Sequence, residues 1–360
     1  MNTQSTIDLS RFQDSKHPLN NHSFYKLLVE SQLLTQASGW VPLHFLNDDG
    51  HSLGYIKSHS YGEYIFDWAW ADLYYKLGLS YYPKLIHAIP FTPVNSLKLL
   101  GSNKEKLAKN IYEYYLNNQE LSSHHYLFTN NEESRILDSM GYFKQKSIQY
   151  HWKIRGKSFL DFLDSLKGRK RKQIKKERQK VGDYNLKILS KPISLITETE
   201  IKTIFNLYLS TIDKKQSHAY LNQDFFNLLI SHYSDSIFFN LAYKNDELIA
   251  MSLFFYSDDT LYGRYWGIDK SYEKEYPLLH FEMCYYLGMD FCYQNDLNYF
   301  EAGAQGEQKL LRGFEPTVIK SYHHLKESTP SEIIVKHIRN QNLYIEDQVN
   351  ELKKYLPYSI

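Results

Sequence analysis

Two stretches about half the chain apart share one grammar, and together they restrict the fold more than any other feature. "WVPLHFLNDDGHSLGYIKSH", residues 40–59, and "IFFNLAYKNDELIAMSLFFY", residues 237–256, each set two apolar runs around a short Asn/Asp turn. Asn, Asp and Gly tolerate the left-handed backbone of tight reversals, so both read as β-hairpins. A doubly wound parallel sheet has no place for hairpins. The chain also has 360 residues, beyond the usual size of one hydrophobic core. The expectation is an α/β protein of two tandem domains with mixed, mostly antiparallel sheets, related by a weak internal duplication.

Other signals fill in the order. "KLIHAIPF" reads as a buried strand closed by Pro90 and Pro93, and a helix follows over residues 104–116. "HHYLFT" and "SIQYHWKI" read as strands flanking a short helix that Gly141 ends. Ser158 with Asp161 opens another helix in the manner of a capping box. Pro277 opens a long helix, strand "NYFEAG" precedes a glycine-bearing turn, and "TVIKSYHHL" is a last strand before a charged helix. The boundaries expected are an N-terminal domain at 1–155, a basic helical connector at 156–186, a C-terminal domain bearing the active site at 187–330, and a terminal helix at 331–360.

Charge is concentrated in that connector. Residues 169–180 hold eight Lys or Arg and one acid, a net +7 in a chain whose total is +1, so the remainder carries about −6. A general nucleic-acid coat is excluded, and one local anionic partner is indicated. Ile174 and Val181, seven apart, give this helix a thin apolar seam beneath its basic surface. Candidate anion or nucleic-acid contacts are Arg169, Lys170, Arg171, Lys172, Lys175 and Lys176. A solvated charged helix is the plain alternative.

Two cysteines, Cys284 and Cys292, are too few for a disulfide framework or a cysteine zinc site, and no metal is expected. Residues 1–21 lack an apolar run of signal-peptide length and no window approaches a membrane span, which leads to the expectation of a cytoplasmic protein. No G-x-S-x-G occurs.

The densest chemistry lies in "FEAGAQGEQKLLRGFEP", residues 300–316. A strand ending in Glu301 runs into Gly303 and Gly306, and a short helix then carries Glu307, Lys309 and Arg312. Glycines admit close backbone approach, while a helix start and two cations suit a phosphate or carboxylate. It lacks the G-K-[ST] of a P-loop. The plain alternative is an ordinary strand-turn-helix corner. In "LYGRYWG", Arg264 stands among aromatic residues in a strand, where burying an arginine requires an anionic partner or a ligand. His280 and Cys284 share a helix face, for which a packed histidine is the simpler account. Lys84, in "YYPKLIHAIPFTP", lies beside aromatic residues in what reads as a buried strand and its turn.

These residues also carry a likeness. The stretches "YGEYIFDWAWADLYYKLGLSYYPKLIHAIPFTPV", "RKRKQIKKERQKV", "LYGRYWG", "LLHFEMCYYLGMDFC" and "FEAGAQGEQKLLRGFEP" together resemble the family of predicted bacterial N-acyltransferases labelled peptidoglycan biosynthesis/recognition proteins. That family is grouped with the GNAT acyltransferase fold and is similar in layout to the Fem aminoacyltransferases. The resemblance implies two GNAT-like domains in tandem and transfer of an acyl or aminoacyl group to an amine. Its motifs map onto Tyr82, Pro83, Lys84, Arg264, Tyr265, Trp266, His280, Glu282, Gly303, Gln305, Gly306, Glu307, Lys309 and Arg312. The coenzyme A pyrophosphate loop of GNAT enzymes is not evident, so aminoacyl-tRNA stands beside acyl-CoA as donor.

For such a transfer, Glu301 or Glu307 would take the amine proton and Tyr265 would protonate the leaving group. Arg264, Lys309 and Arg312 would hold phosphates, with Lys84, Trp266, His280, Glu282, Gln305 and Gly306 completing the binding set. The acceptor would be an amine-bearing small molecule or a lipid-linked precursor, with tRNA or a membrane surface meeting the basic helix. A non-catalytic protein that docks tRNA or anionic membrane through that helix is the alternative.

Overall fold

The computed structural model describes residues 2–4, 16–48, 50–214, 218–232, 236–303 and 306–359. The first half runs β1 (Asn2–Gln4), α1 (His22–Glu30), β2 (Trp40–Asn47), β3 (Gly50–Lys57), α2 (Trp68–Lys76), β4 (Lys84–His87), β5 (Leu99–Gly101), α3 (Lys104–Asn117), β6 (Ser123–Thr129), α4 (Asn131–Ser139) and β7 (Phe143–Lys153). Two helices connect the halves, α5 (Phe159–Asp164) and α6 (Gly168–Gly182). The second half runs β8 (Lys187–Pro192), α7 (Glu198–Lys214), α8 (Gln223–His232), β9 (Ile237–Lys244), β10 (Glu247–Tyr256), β11 (Thr260–Ile268), α9 (Leu279–Phe281), α10 (Leu287–Gln294), β12 (Tyr299–Glu301), β13 (Glu315–Leu325) and α11 (Ser328–Lys354).

Both hairpins form as the sequence predicts. Asn47 Oδ1 accepts from the Gly50 amide at 2.9 Å between β2 and β3. Asn245 and Asp246 adopt φ of 48° and 68° between β9 and β10, which suits the hairpin's right-handed twist. Asn21, Asn103, Asn130 and Ser158 each accept a backbone N–H at a helix start, satisfying donors that the first turn leaves open.

Among the described residues the strands join into one sheet, ordered β1-β2-β3-β4-β6-β13-β7-β12-β11-β10-β9-β8, with β5 on β3. Its neighbours are antiparallel except β4–β6 and β11–β12, one parallel pair in each half. The α/β architecture with a mixed, mostly antiparallel sheet is therefore as expected. β13 returns to pair with β6 on one side and with β7 on the other, from Glu315↔His151 to His323↔Phe143.

Close packing sets the second half. A Cβ on Gly267 of β11 would lie 2.0 Å from the Leu207 carbonyl oxygen, so α7 can rest against this strand only at a glycine. The long helix opened after Pro277 is interrupted by a π turn at Glu282–Tyr286 between α9 and α10. α6 buries Ile174 and Val181, the seam read from the sequence.

Candidate active site

The site builds up where β11 and β12 meet β7 and the loop after β4. β11 pairs with β10 through Leu253↔Tyr265 and Phe254↔Gly263, which leaves Arg264 as the extra residue of a β-bulge. A bulge re-aims the side chain it carries. Arg264 Nη2 donates to Thr92 Oγ1 at 3.0 Å, reaching from the second half to the first, and its buried Nε has no hydrogen-bond partner. β11 and β12 run parallel from Thr260↔Tyr299 to Tyr262↔Glu301 and then part, β12 ending while β11 continues to Ile268.

Glu301 stands at the parting. Its Oε1 is 3.9 Å from His151 Nδ1, and its buried Oε2 has no hydrogen-bond partner. Burial raises the carboxyl's pKa, with His151 and Arg264 opposing the shift. His151 Nε2 lies 3.2 Å from Gln149 Oε1, and Gln149 Nε2 donates to the Pro93 carbonyl at 2.8 Å. A chain of polar groups thus links the carboxylate to the same loop that holds Arg264. Burial pushes the pKa of Tyr265 up, leaving it a neutral hydroxyl, and its ring meets Tyr208 edge-on at 5.4 Å. A carboxylate with a raised pKa, a neutral phenol and an arginine with an unpartnered Nε are groups that can move a proton and hold an anion.

The glycine corner is arranged differently from the expectation. Gly303 and Gly306 have φ of 81° and 117°, in the region glycine favours. The short helix after them is a 3-10 stretch, Glu307–Arg312. Lys309 is buried, and its Nζ donates to the Gly303 carbonyl at 2.7 Å, bracing the turn. Arg312 is buried against α6: Nη2 meets both Glu177 oxygens at 3.0 and 3.1 Å, Nε donates to Tyr286 Oη at 3.1 Å, and the guanidinium stacks 3.4 Å over Phe281. Glu307 is exposed, and Gln305 lies outside the described residues.

Glu282 is likewise turned to α6. It accepts from Arg178 at 2.9 Å while Asp290 takes the other side at 2.7 Å, so Arg312–Glu177 and Arg178–Glu282 stitch the basic helix to the second half from both directions. Trp266 and His280 pack edge-to-face at 5.3 Å. On α6, Arg171 pairs with Asp164 at 3.1 Å and Lys170 donates to Gln173. Arg169, Lys172, Lys175 and Lys176 are exposed, as is Lys180, and no ion pair engages these five among the described residues. Arg169, Lys172, Lys176 and Lys180 fall on one helical stripe about 16 Å long, opposite Ile174 and Val181.

Lys84 belongs to another cluster, in the first half. Fully buried, it donates to Ser60 at 2.9 Å, Glu63 at 2.8 Å and Asp67 at 2.5 Å. These acids flank a loop in which Gly62, Tyr64 and Phe66 take φ of 80°, 62° and 56°. Left-handed conformation at two aromatic residues persists only where surroundings enforce it. Tyr64 and Tyr265 pack against the same hydrophobic cluster, which connects this loop to β11.

Sequence reasoning singled out Arg264, Tyr265 and Glu301, which stand on the neighbouring strands β11 and β12. It missed Thr92, Gln149 and His151. Gln149 and His151 share one face of β7, but their strand partners Thr317, Glu315 and Glu301, at least 150 residues away, were not readable from spacing. Among the described residues no cluster of three or more His, Cys, Asp or Glu could hold a metal, and no helix is long and apolar enough to cross a membrane.

Residues 4–360 match the FemAB-like family model, described as peptidoglycan biosynthesis/recognition. A comparison with curated proteins gives no match. Among solved structures, the L-PGS of Bacillus licheniformis is similar with a TM-score of 0.54 at 11% identity, covering 91% of this chain and 98% of that one. FemX is similar with a TM-score of 0.53 at 8% identity over 93% of this chain and 100% of its own. The C-terminal domain of a putative lysylphosphatidylglycerol synthetase from Agrobacterium fabrum follows at 0.51 and 8%, over 91% and 92%. At such identities the likeness is one of fold.

Proposed function

The chain belongs to the FemAB-like family of peptidoglycan biosynthesis/recognition, whose members are Fem-type transferases, and from that premise we propose that it moves an acyl or aminoacyl group onto an amine at the Arg264–Glu301 seam. The observation that carries the proposal is Glu301: a buried carboxylate with raised pKa and an unpartnered oxygen, set between Arg264 and His151 where two parallel strands part.

The amine nitrogen attacks the acyl carbon, and Glu301 takes the proton it sheds. Arg264, whose Nε is unpartnered, stabilises the oxyanion of the tetrahedral intermediate. Tyr265 gives its proton to the departing thiol or ribose oxygen as the intermediate collapses; Glu301 then releases its proton to solvent and Tyr265 takes one up, which restores both groups. Acyl-CoA and aminoacyl-tRNA both carry phosphates, which suits the uncommitted stripe of α6. A fold relative named for lysylphosphatidylglycerol, an aminoacylated lipid, supports the aminoacyl donor, and a peptidoglycan precursor is the acceptor that the family name suggests. Glu307, exposed on the rim, is the lesser candidate for the base.

The test is a donor screen. Purified protein is incubated with acetyl-CoA, longer acyl-CoAs or charged tRNA together with amine acceptors, and donor consumption is followed. One donor should be consumed, Glu301→Gln should stop it and Glu307→Gln should not. No consumption with any donor would leave a binding protein that docks anions through α6; full turnover by Glu301→Gln would remove the assigned base.

A further inference from the structure

A cavity in the first half lies apart from the residues assigned to transfer. It is partly open to solvent, and its walls are mainly apolar, with Leu19, Phe24, Leu28, Leu53, Ile89 and Leu100 among them. Ligand pockets have this character: a greasy wall with a few polar groups that fix orientation. Here one polar edge is a chain in which Tyr25 Oη lies 3.0 Å from His44 Nε2 and His44 Nδ1 lies 3.1 Å from His51 Nε2.

Lys98 also belongs to the lining, with Asn20, Asn21 and His22 as further polar members. It is buried, and its Nζ donates to the carbonyl oxygens of Ser96 at 2.7 Å and Phe128 at 2.5 Å. Among the described residues no ion pair engages it. The nearby Glu133 instead accepts from the Lys98 and Leu99 backbone amides, at 2.8 Å for the latter. Burial lowers the Lys98 pKa to about 8, with Glu133 opposing, so the ammonium remains largely charged at neutral pH. Lys84, equally buried, has two carboxylates in contact. A buried ammonium that bonds directly only to carbonyls, with Glu133 acting on it from a distance, leaves room for an anionic group from outside the chain.

We propose that this cavity binds a small amphiphile, an apolar chain of medium length whose anionic head, carboxylate or phosphate, is answered by Lys98. The proposal stands whether or not the seam transfers acyl groups. It is tested by calorimetric titration of the full chain with decanoate, decyl phosphate, decanol and acetate, below micellar concentrations. Decanoate or decyl phosphate should bind at least tenfold more tightly than decanol, and acetate should not bind. The better of the two anions identifies the head group. Lys98→Met should reduce the preferred anion to the level of decanol, and Leu53→Trp, filling the cavity, should abolish binding of all. Should either variant fail to melt cooperatively, the wild-type comparison decides alone. Decanol binding as tightly as both anions, or no binding of either anion to folded wild type, overturns the proposal.

Discussion

Lys84 in the first half and Arg264 in the second are both cations set deep among aromatic side chains, and they are used in opposite ways. Lys84 gives its protons to Ser60, Glu63 and Asp67. Burial works against its charge, yet Asp67 and Glu63 hold its pKa above the ordinary lysine range. Asp67 stays below the usual carboxylate range because Lys84 outweighs its own burial, while burial pushes Glu63 up to about 7. Arg264 meets a threonine hydroxyl and keeps a buried Nε unanswered; Glu301, Glu63 and Asp67 each keep one unanswered oxygen, so the cations, not the acids, differ. A cation whose donors are all taken holds a loop in place. One with donors left over is available to a ligand.

The largest effect that would break this comparison is on stability. Lys84→Met leaves two buried acids without their cation and should cost about 3–5 kcal/mol, read from urea unfolding. A loss under about 1 kcal/mol would show that the cluster is not the anchor of the Tyr64 loop. At the seam the expectation is reversed: Glu301→Gln should leave the unfolding midpoint nearly unchanged, while lowering turnover by about 10²–10⁴-fold once a donor is found. Because the folded pKa of Glu301 is raised and the base must be ionised, the acid limb of the rate profile should lie above the ordinary carboxylate range.

Acid sharpens the contrast further. Burial lowers the pKa values of His44 on β2 to about 4 and of His87 on β4 and His323 on β13 to about 3. The unfolded chain takes up protons near pH 6.5 and the folded chain does not, so stability is full above that value and falls as pH drops below it. Between pH 7 and 6 these three should cost roughly 0.7 kcal/mol each, measurable as a shift in urea midpoint. A flat profile would mean that the buried rings accept protons in the fold. The smallest effect belongs to the outer face of α6. Replacing Lys172 and Lys176 with alanine should change stability by less than about 0.5 kcal/mol, yet weaken binding of a polyanion such as tRNA and flatten its salt dependence. Unchanged affinity would assign that stripe to solvent.

The hairpins, the capped helices and the apolar seam of α6 were legible because each rests on residues close in sequence: Asn47 with Gly50, Ser158 with Asp161, Ile174 with Val181. α7 was passed over although Ile201, Ile204, Leu207 and Tyr208 fall at helical spacing. The glycine corner drew attention to Lys309 and Arg312, and tertiary packing turned both inward, onto Gly303 and Glu177. Their charge was readable; the acid waiting on α6 was not.

By itself, then, the chain specified many of its strands and helices, where its hairpins would reverse, and that its excess positive charge would ride on one helix. These follow from local backbone preference and periodicity, which act over a few residues. Only the assembled sheet decided which charges would be answered. Pairing β12 with β7 brought His151 to Glu301, and the bulge in β11 carried Arg264 to Thr92, contacts between residues 150 and 172 positions apart that no local rule selects.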